Sequence, residues 1–574
     1  MNLPGLLQYA LFIAIVIVCV KPVGLYLFRV FERQRTLLDP VLCPVERFAY
    51  YAAGIDPKSE MDWRQYTFAF VLFGTLGTIL LFMTLLLQRR LPWFYPNYQN
   101  TPMTLDLALN TAVSFSTTTT WQAYAGETTM SYFSQMVGLT AQNFLAGGAG
   151  LAVGIAFIRG LARRHTAKLG NFWADLTRAI LWVLLPLSLL GGLILVWQGV
   201  PMNFSPYTRI KTVEGAIQIV AQGPVAALET IKNLGTNGGG FFNVNGAHPY
   251  ENPTPFTNLL EMLMIAVLPA SLTHTFGRMI ERPRQGWTLF WVMTILFIAG
   301  LVVAGWVEQH GNSQLPVLGI DTHWGDSQPG GNMEGKEVRF GIHGSVLAAV
   351  TTSNGATGSY NSMHDSYTPL GGMVPLLNML LGEITYGGLG SGLYSMIMLV
   401  LLSVFLGGLM VGHTPQYLGK QLTSRETKLV VCYMVIGMAT VLLLTALAVA
   451  TTAGRAGLIT NRGPHAFTEI LFAYSSSLAN NGQNFAGLNA NTVFYNLTTT
   501  VAMLVGRFGL AAIALALSAC FAEQGLKPAS PGNLPTDSPM FAMLLTGMIL
   551  IVAGLSYFPA LSLGPILEHL QMLR

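Results

Sequence analysis

Ten runs of about twenty mainly apolar residues recur along the chain, and that is the length of α-helix a bilayer's hydrocarbon core requires. They lie near residues 6–28, 68–87, 132–158, 179–197, 259–276, 287–307, 371–411, 429–450, 493–521 and 540–561, the seventh being long and interrupted. Only 10% of the 574 residues are Asp, Glu, Lys or Arg, whereas 52% are hydrophobic. Ordinary soluble domains are roughly 25% charged, so a soluble fold of this size could not cover its surface. Within lipid every backbone N–H and C=O must be satisfied internally. The sequence therefore predicts an all-α polytopic membrane protein with ten transmembrane helices.

Basic residues orient it. The connections after the odd-numbered runs, although short, hold eighteen Lys and Arg, and the longer opposite connections hold nine. The positive-inside rule then puts the first set in the cytoplasm and both termini outside. The N-terminus has no basic segment ahead of its apolar run and no small-residue cleavage site, which reads as a retained helix. A net charge of +4, with its cations scattered among loops, argues against nucleic acid. Cys19, Cys43, Cys432 and Cys520 show no C-x-x-C spacing.

Four of the long outer connections carry a short string rich in hydroxyls and amides. They read Thr118-Thr119-Thr120-Trp121-Gln122, Thr236-Asn237-Gly238-Gly239-Gly240, Ser353-Asn354-Gly355-Ala356-Thr357 and Asn480-Asn481-Gly482-Gln483-Asn484. Aligned on their third residues, they are 118, 117 and 127 residues apart, which predicts a fourfold internal repeat. Each unit reads as helix, re-entrant loop, helix, over 65–160, 178–280, 286–412 and 428–522. Residues 1–64 add a first helix with its cytoplasmic loop, and 538–574 add a last helix. Irregular backbone is tolerated at membrane depth only inside protein or beside water, so four such loops meeting on one axis would enclose a central filter.

Filters for dehydrated cations are rings of oxygen dipoles that replace the hydration shell. Turning carbonyls to one side often takes a residue with positive φ, which glycine adopts at little cost. Gly238, Gly355 and Gly482 fall in one column with Thr120, while Thr118, Thr236, Ser353 and Asn480 fall in another where every side chain bears an oxygen. Thr119, Asn237, Asn354 and Asn481 lie between them. None is charged. Calcium and magnesium sites usually employ carboxylates, so neutral oxygens favour a weakly hydrated monovalent ion, and potassium fits best. Gln122, just inside the first string, is placed to brace the loop backbone. The competing reading is that Gly, Ser, Thr and Asn are ordinary turn residues, but four loops at near-constant spacing argue against it.

Several strings together resemble the potassium-binding A subunits of Kdp-type potassium-transporting ATPases. These are Thr120 to Glu127, Gly235 to Asn243, Met363-His364-Asp365-Ser366 with Leu370-Gly371-Gly372-Met373, and Ala479-Asn480-Asn481-Gly482 with Phe485-Ala486-Gly487. The likeness covers nearly the whole chain; it departs at Thr118 and Thr120, where that family often has asparagine. It implies a member of the superfamily of potassium transporters, with one filter built from four units of a single chain, in a bacterial plasma membrane. It also implies partners, namely a P-type ATPase B subunit, a C subunit and a small F subunit. Potassium, the substrate, would be selected at the outer face and pass through an internal tunnel to the ATPase subunit for high-affinity uptake. No covalently bound cofactor is implied.

Arg507 interrupts the ninth run, where a charge costs about 2.5–3.5 kcal/mol on insertion scales. It reads either as a structural ion pair or as a fixed positive charge beside an ion path; the resemblance implies the latter, below the filter. The seventh run holds Gly387-Gly388-Leu389-Gly390-Ser391-Gly392. Glycines cost about 1 kcal/mol each in a helix, so the span should break there, with Gly388 and Gly390 either in a gate or in a helix-packing patch. Glu383, just upstream, is an ion-path carboxylate or the partner of Arg507. Gly330 to Lys336 matches G-x-x-x-x-G-K, but Glu337 stands where a phosphate loop needs Ser or Thr, and no D-K-T-G string occurs. ATP hydrolysis therefore belongs to another chain. The alternatives are a self-sufficient potassium channel or ion-coupled potassium transporter and, more remotely, a membrane-embedded enzyme.

Overall fold

The computed structural model describes residues 3–92, 101–325, 328–412, 414–528 and 534–574. Ten of its helices are long and apolar enough to cross a membrane: Leu3–Phe31, Trp63–Arg90, Ser134–Ala162, Phe172–Trp197, Pro255–Met279, Pro283–Val317, Ser391–Met410, Ser424–Ala450, Val493–Glu523 and Pro539–Met572. Several start on a side chain that closes the first turn. Asp62 with Gln65, Thr254 with Thr257 and Thr423 with Glu426 form reciprocal caps, each satisfying two backbone donors.

The seventh apolar run divides in two, as its glycines foretold, with the break starting six residues before the glycine string and taking in Gly387, Gly388 and Gly390. One helix covers Pro369–Leu380 and the next starts at Ser391. Gly382, Glu383, Tyr386 and Gly390 all have positive φ in the intervening segment, which no α-helix accommodates. Gly392 lies inside the second helix.

Four shorter helices stand between the second and third, fourth and fifth, sixth and seventh, and eighth and ninth spans. They are Leu105–Ser116, Val225–Leu234, Gly341–Asn354 and Gly463–Ala479. The longest has 17 residues, at the bottom of the range for a crossing, and all are largely buried. Each runs C-terminally into one of the strings described above.

The third span lies at the centre and is buried along nearly its whole length. Its composition, AQNFLAGGAGLAVGIAFIRGLA, suits a membrane interior, where lipid gives helices little hydrophobic reason to associate and small residues allow close packing. At Gly154 a Cβ would stand 2.5 Å from Gly390 Cα, so this helix touches the break in the seventh span directly. The first span packs on the fifth, where Thr275 Oγ1 donates to the Gly24 carbonyl at 3.0 Å. Two small features escaped the apolar pattern: a helix over Asp39–Ala53 and a hairpin pairing Thr208–Lys211 with Ile217–Val220.

Candidate functional site

The four strings meet in a closed ring, in chain order. Thr120 Oγ1 of the first donates to Asn237 O of the second at 2.8 Å. The backbone N–H of Gly358 in the third donates to the same carbonyl at 3.3 Å. A Cβ on Gly358 would lie 3.0 Å from Asn481 O of the fourth, and one on Gly482 would lie 2.0 Å from Thr119 O of the first. Asn480 Nδ2 completes the circuit by donating to Thr119 Oγ1 at 3.0 Å.

Backbone angles fix the register. Positive φ occurs at Thr118 and Thr120 (63° and 51°), at Thr236 and Gly238 (48° and 98°), at Ala356 (51°), and at Asn480 and Gly482 (57° and 90°). In the first, second and fourth strings a left-handed residue, an ordinary one and a left-handed one turn successive carbonyls toward one side; in the third only Ala356 is left-handed, and Gly358 is set level with Gly238 and Gly482 by its contacts with Asn237 O and Asn481 O. Equivalent positions are therefore Thr118, Thr236, Ala356 and Asn480, then Thr119, Asn237, Thr357 and Asn481, then Thr120, Gly238, Gly358 and Gly482. This corrects the alignment of the third string, which slips by three residues. Ser353 and Asn354 belong to the last turn of the Gly341–Asn354 helix, where Ser353 Oγ donates to Ala349 O at 2.6 Å and Asn354 Nδ2 to Val350 O at 2.9 Å. Gly355 caps that helix at φ −79°. In the other three strings the residues singled out from the sequence do stand in the ring.

Two cavities meet the ring from opposite sides. One, about 700 Å³, is lined by Thr120, Gly239, Gly358 and Gly482, with Gln122, Tyr360, His364 and Asn484 around it. The other, about 120 Å³, is lined by Thr118, Thr236, Ala356 and Asn480, together with Glu383, Gly388, Leu389 and Arg507. The ring is thus the partition between them, with one layer of its residues facing each. All four short helices end at it, at Ser116, Leu234, Asn354 and Ala479. A helix C-terminus carries roughly half a negative charge, so four of them converge on a place lined by neutral oxygens. That arrangement favours a cation without binding it as tightly as carboxylates would.

Two basic side chains line the larger cavity, and neither presents a free positive charge to it. Lys336 reaches it but its Nζ lies 2.7 Å from Glu308, and burial pushes it below the usual lysine range. Burial also pushes His364 down to about 3, so its ring is neutral near pH 7. Lys336 belongs to the string that mimics a phosphate loop, and its ion pair gives it a structural occupation instead.

The ring is braced from behind. Gln122 Oε1 accepts from Gly240 N at 2.8 Å and its Nε2 donates to Gly240 O at 3.3 Å, tying the first string to the second. Lys232, fully buried, lies 2.7 Å from Glu229 and 2.6 Å from Glu251. Although burial opposes its charge, the two carboxylates hold its pKa above the ordinary lysine range. Its carbonyl accepts from Asn237 N and Gly238 N at 2.8 and 3.1 Å, and Glu251 accepts from Phe242 N at 2.8 Å. This ion pair therefore anchors both ends of the second string. The i, i+3 spacing of Glu229 and Lys232 was a visible signal; Glu251 was not.

Glu383 and Arg507 both line the smaller cavity but do not pair. Glu383 accepts from Asn481 Nδ2 at 2.7 Å. Arg507 sits in a π-helical turn, Val505–Gly509, donates to Ala146 O at 2.7 Å and lies 5.5 Å from the Phe70 ring. Among the described residues it has no carboxylate partner. The broken segment of the seventh span is instead stitched to the ring: besides Glu383, Leu389 N donates to Thr236 Oγ1 at 3.0 Å, Gly388 lies against Ala356 and Gly390 against Gly150 of the third span.

Comparison with known proteins agrees with this architecture. A search of solved structures finds the potassium transporter TrkH from Vibrio parahaemolyticus, 13% identical, at a TM-score of 0.52 over 88% of this chain and 98% of that one, which speaks to the fold. Among curated proteins, the potassium-transporting ATPase potassium-binding subunit of Methylobacterium radiotolerans is 51% identical over 99% of this chain and 98% of that protein. Its counterpart in Rhodospirillum centenum is 50% identical over 100% and 98%. The model of the potassium-transporting ATPase A subunit matches residues 10–570, and the chain belongs to that family.

Proposed function

We propose that this chain is the potassium-binding subunit of a potassium-transporting ATPase and that the four-string ring is its selectivity filter. The observation that carries the reading is the closed circuit of neutral oxygens at the convergence of four helix C-termini. We read the four helix, loop, helix units as repeats, with the first and last spans outside them. Potassium enters from the larger cavity, which faces outward, and exchanges its hydration shell for the oxygens of Thr118 to Thr120, Thr236 to Gly238, Ala356 to Gly358 and Asn480 to Gly482. It then reaches the smaller cavity, which continues past Tyr394, Tyr433, Ile549 and Tyr557 between the seventh, eighth and tenth spans. In our reading that direction is the tunnel toward a P-type ATPase subunit, which hydrolyses ATP, and further C and F subunits complete the assembly. Arg507 is the fixed positive charge that discourages leak, and the 381–390 segment is the gate below the filter.

The test is potassium-dependent ATPase activity in the complex purified through this chain from its native membrane. Stimulation by potassium, with a P-type subunit co-purifying, is the expected result. Potassium flux through the chain alone in vesicles, without ATP or any ATPase partner, would instead identify a self-sufficient transporter.

A further inference from the structure

Away from the ring, one group of side chains has no part in that reading. Asp365 comes from the loop after the third string, and His465 and Glu469 come from adjacent turns of the Gly463–Ala479 helix. A ligand atom from each lies within 4.8 Å of the others. His465 Nε2 is 3.0 Å from Asp365 Oδ1 and 3.9 Å from Glu469 Oε1. Zinc holds nitrogen and oxygen ligands at about 2.0–2.2 Å, so two ligand atoms on one tetrahedral ion stand about 3.3 Å apart. The observed separations bracket that value.

Three further facts point the same way. Glu469 is fully buried, its carboxylate faces the His465 ring, and its Oε2 has no hydrogen-bond partner. A buried carboxylate oxygen left unpaired is costly unless something positive meets it. His465 Nδ1 is held by Glu568 at 2.8 Å, the arrangement in which a carboxylate fixes a histidine's tautomer and turns the other nitrogen toward a metal; that nitrogen, Nε2, bonds Asp365 Oδ1 at 3.0 Å, so an ion would take the place of the shared proton. Charge gives the third argument: three carboxylates surround one imidazole, and the nearby Asn461 amide, which donates to Asp365, Glu469 and Thr460, brings no charge. The site borders a cavity of about 280 Å³, so an ion has a way in.

We propose that Asp365, His465 and Glu469 bind a divalent transition-metal ion, with Glu568 positioning the histidine. Zinc suits one imidazole and two carboxylates. Such an ion clamps three parts of the chain together: the loop leaving the third string, the helix feeding the fourth, and the C-terminal helix Leu567–Met572.

The test uses the intact chain, purified in detergent with its co-purifying subunits, stripped with EDTA and saturated with potassium. Zinc is titrated by calorimetry and retained metal is counted by mass spectrometry after gel filtration. The wild type should retain one more zinc per chain than His465→Ala or Glu469→Gln. Glu568→Gln should keep that stoichiometry while losing about 10–100-fold in affinity. Cobalt in place of zinc should give visible absorption bands that His465→Ala abolishes. Equal zinc in wild type and His465→Ala, or none in the wild type at micromolar concentration, would mean a hydrogen-bonded ion-pair network only and would overturn the proposal. If His465→Ala fails to assemble, the near-isosteric Asp365→Asn is read in its place with the same two outcomes.

Discussion

Replacing Gly238 by alanine should weaken potassium binding. Gly238 has φ +98° and a Cβ there would lie 2.0 Å from the backbone nitrogen of Gly358. Left-handed φ costs a residue with a Cβ roughly 1–2 kcal/mol, and forcing a methyl into packed backbone costs typically 1–3 kcal/mol. The sum is about 2–5 kcal/mol, and relief requires the second and third strings to part where Gly358 N bonds Asn237 O. If only 2 kcal/mol falls on the ion-bound state, half-saturation by potassium rises about thirtyfold. ATPase activity of the assembled complex, titrated with potassium and with rubidium, reads both affinity and discrimination. Two controls separate causes. Gly54→Ala has a similar φ of +64° with nothing within 4 Å, so it should cost stability alone. Gly355→Ala, at ordinary φ but 2.4 Å from Ile265 Cγ2, should also spare ion preference. Wild-type potassium and rubidium curves for a well-expressed Gly238→Ala complex would refute the reasoning.

Other substitutions probe the bracing. Gln122→Ala removes two bonds to Gly240 and should raise the potassium requirement modestly; Gln122→Arg adds a cation worth roughly 1 kcal/mol of repulsion at 4 Å in water and several times more where water is excluded, so it should be worse at low potassium. Glu383→Gln keeps an acceptor for Asn481 and should be mild, whereas Glu383→Leu leaves that amide short of a partner at about 1–3 kcal/mol and should relax the potassium-over-rubidium ratio in the same ATPase titration. His364 titrates with a depressed pKa, so its contribution to stability is present above pH 6.5 and lost as pH falls from there toward 3, at about 1.4 kcal/mol per pH unit. Thermal unfolding midpoints between pH 5 and 7 should therefore fall less steeply in His364→Gln than in wild type.

The spans were legible because lipid demands a run of apolar residues of set length, and nothing in the loops imitates that. The strings were legible where left-handed backbone favours a glycine or asparagine that the eye can find, as at Gly238, Asn480 and Gly482, and where hydroxyl side chains, as at Thr118, Thr120 and Thr236, mark the string by their oxygens. The third string misled because Ser353, Asn354 and Gly355 have the right chemistry for another task. Their side chains bond back into the preceding helix turn and glycine ends it, while the ring position is taken by Ala356, which offers only backbone. With the register set by φ, the intervals become 118, 120 and 124 residues. Pairings across the chain were not legible at all. Asn481 lies 98 residues from Glu383, and no local pattern announces that the broken span is bonded to the loops above it. Arg507 stood out as an intramembrane charge, but its partner is the carbonyl of Ala146 rather than a carboxylate, and backbone acceptors carry no sequence mark.

Anomalous scattering from rubidium, in crystals of the complex grown with rubidium replacing potassium, would locate the ion itself. Peaks should lie on the axis of the ring, between the Thr118, Thr236, Ala356, Asn480 layer and the Thr120, Gly238, Gly358, Gly482 layer, and should diminish when potassium is restored. Well-ordered rubidium elsewhere in the chain, with none on that axis, would contradict the assignment of the ring as the ion-selecting site.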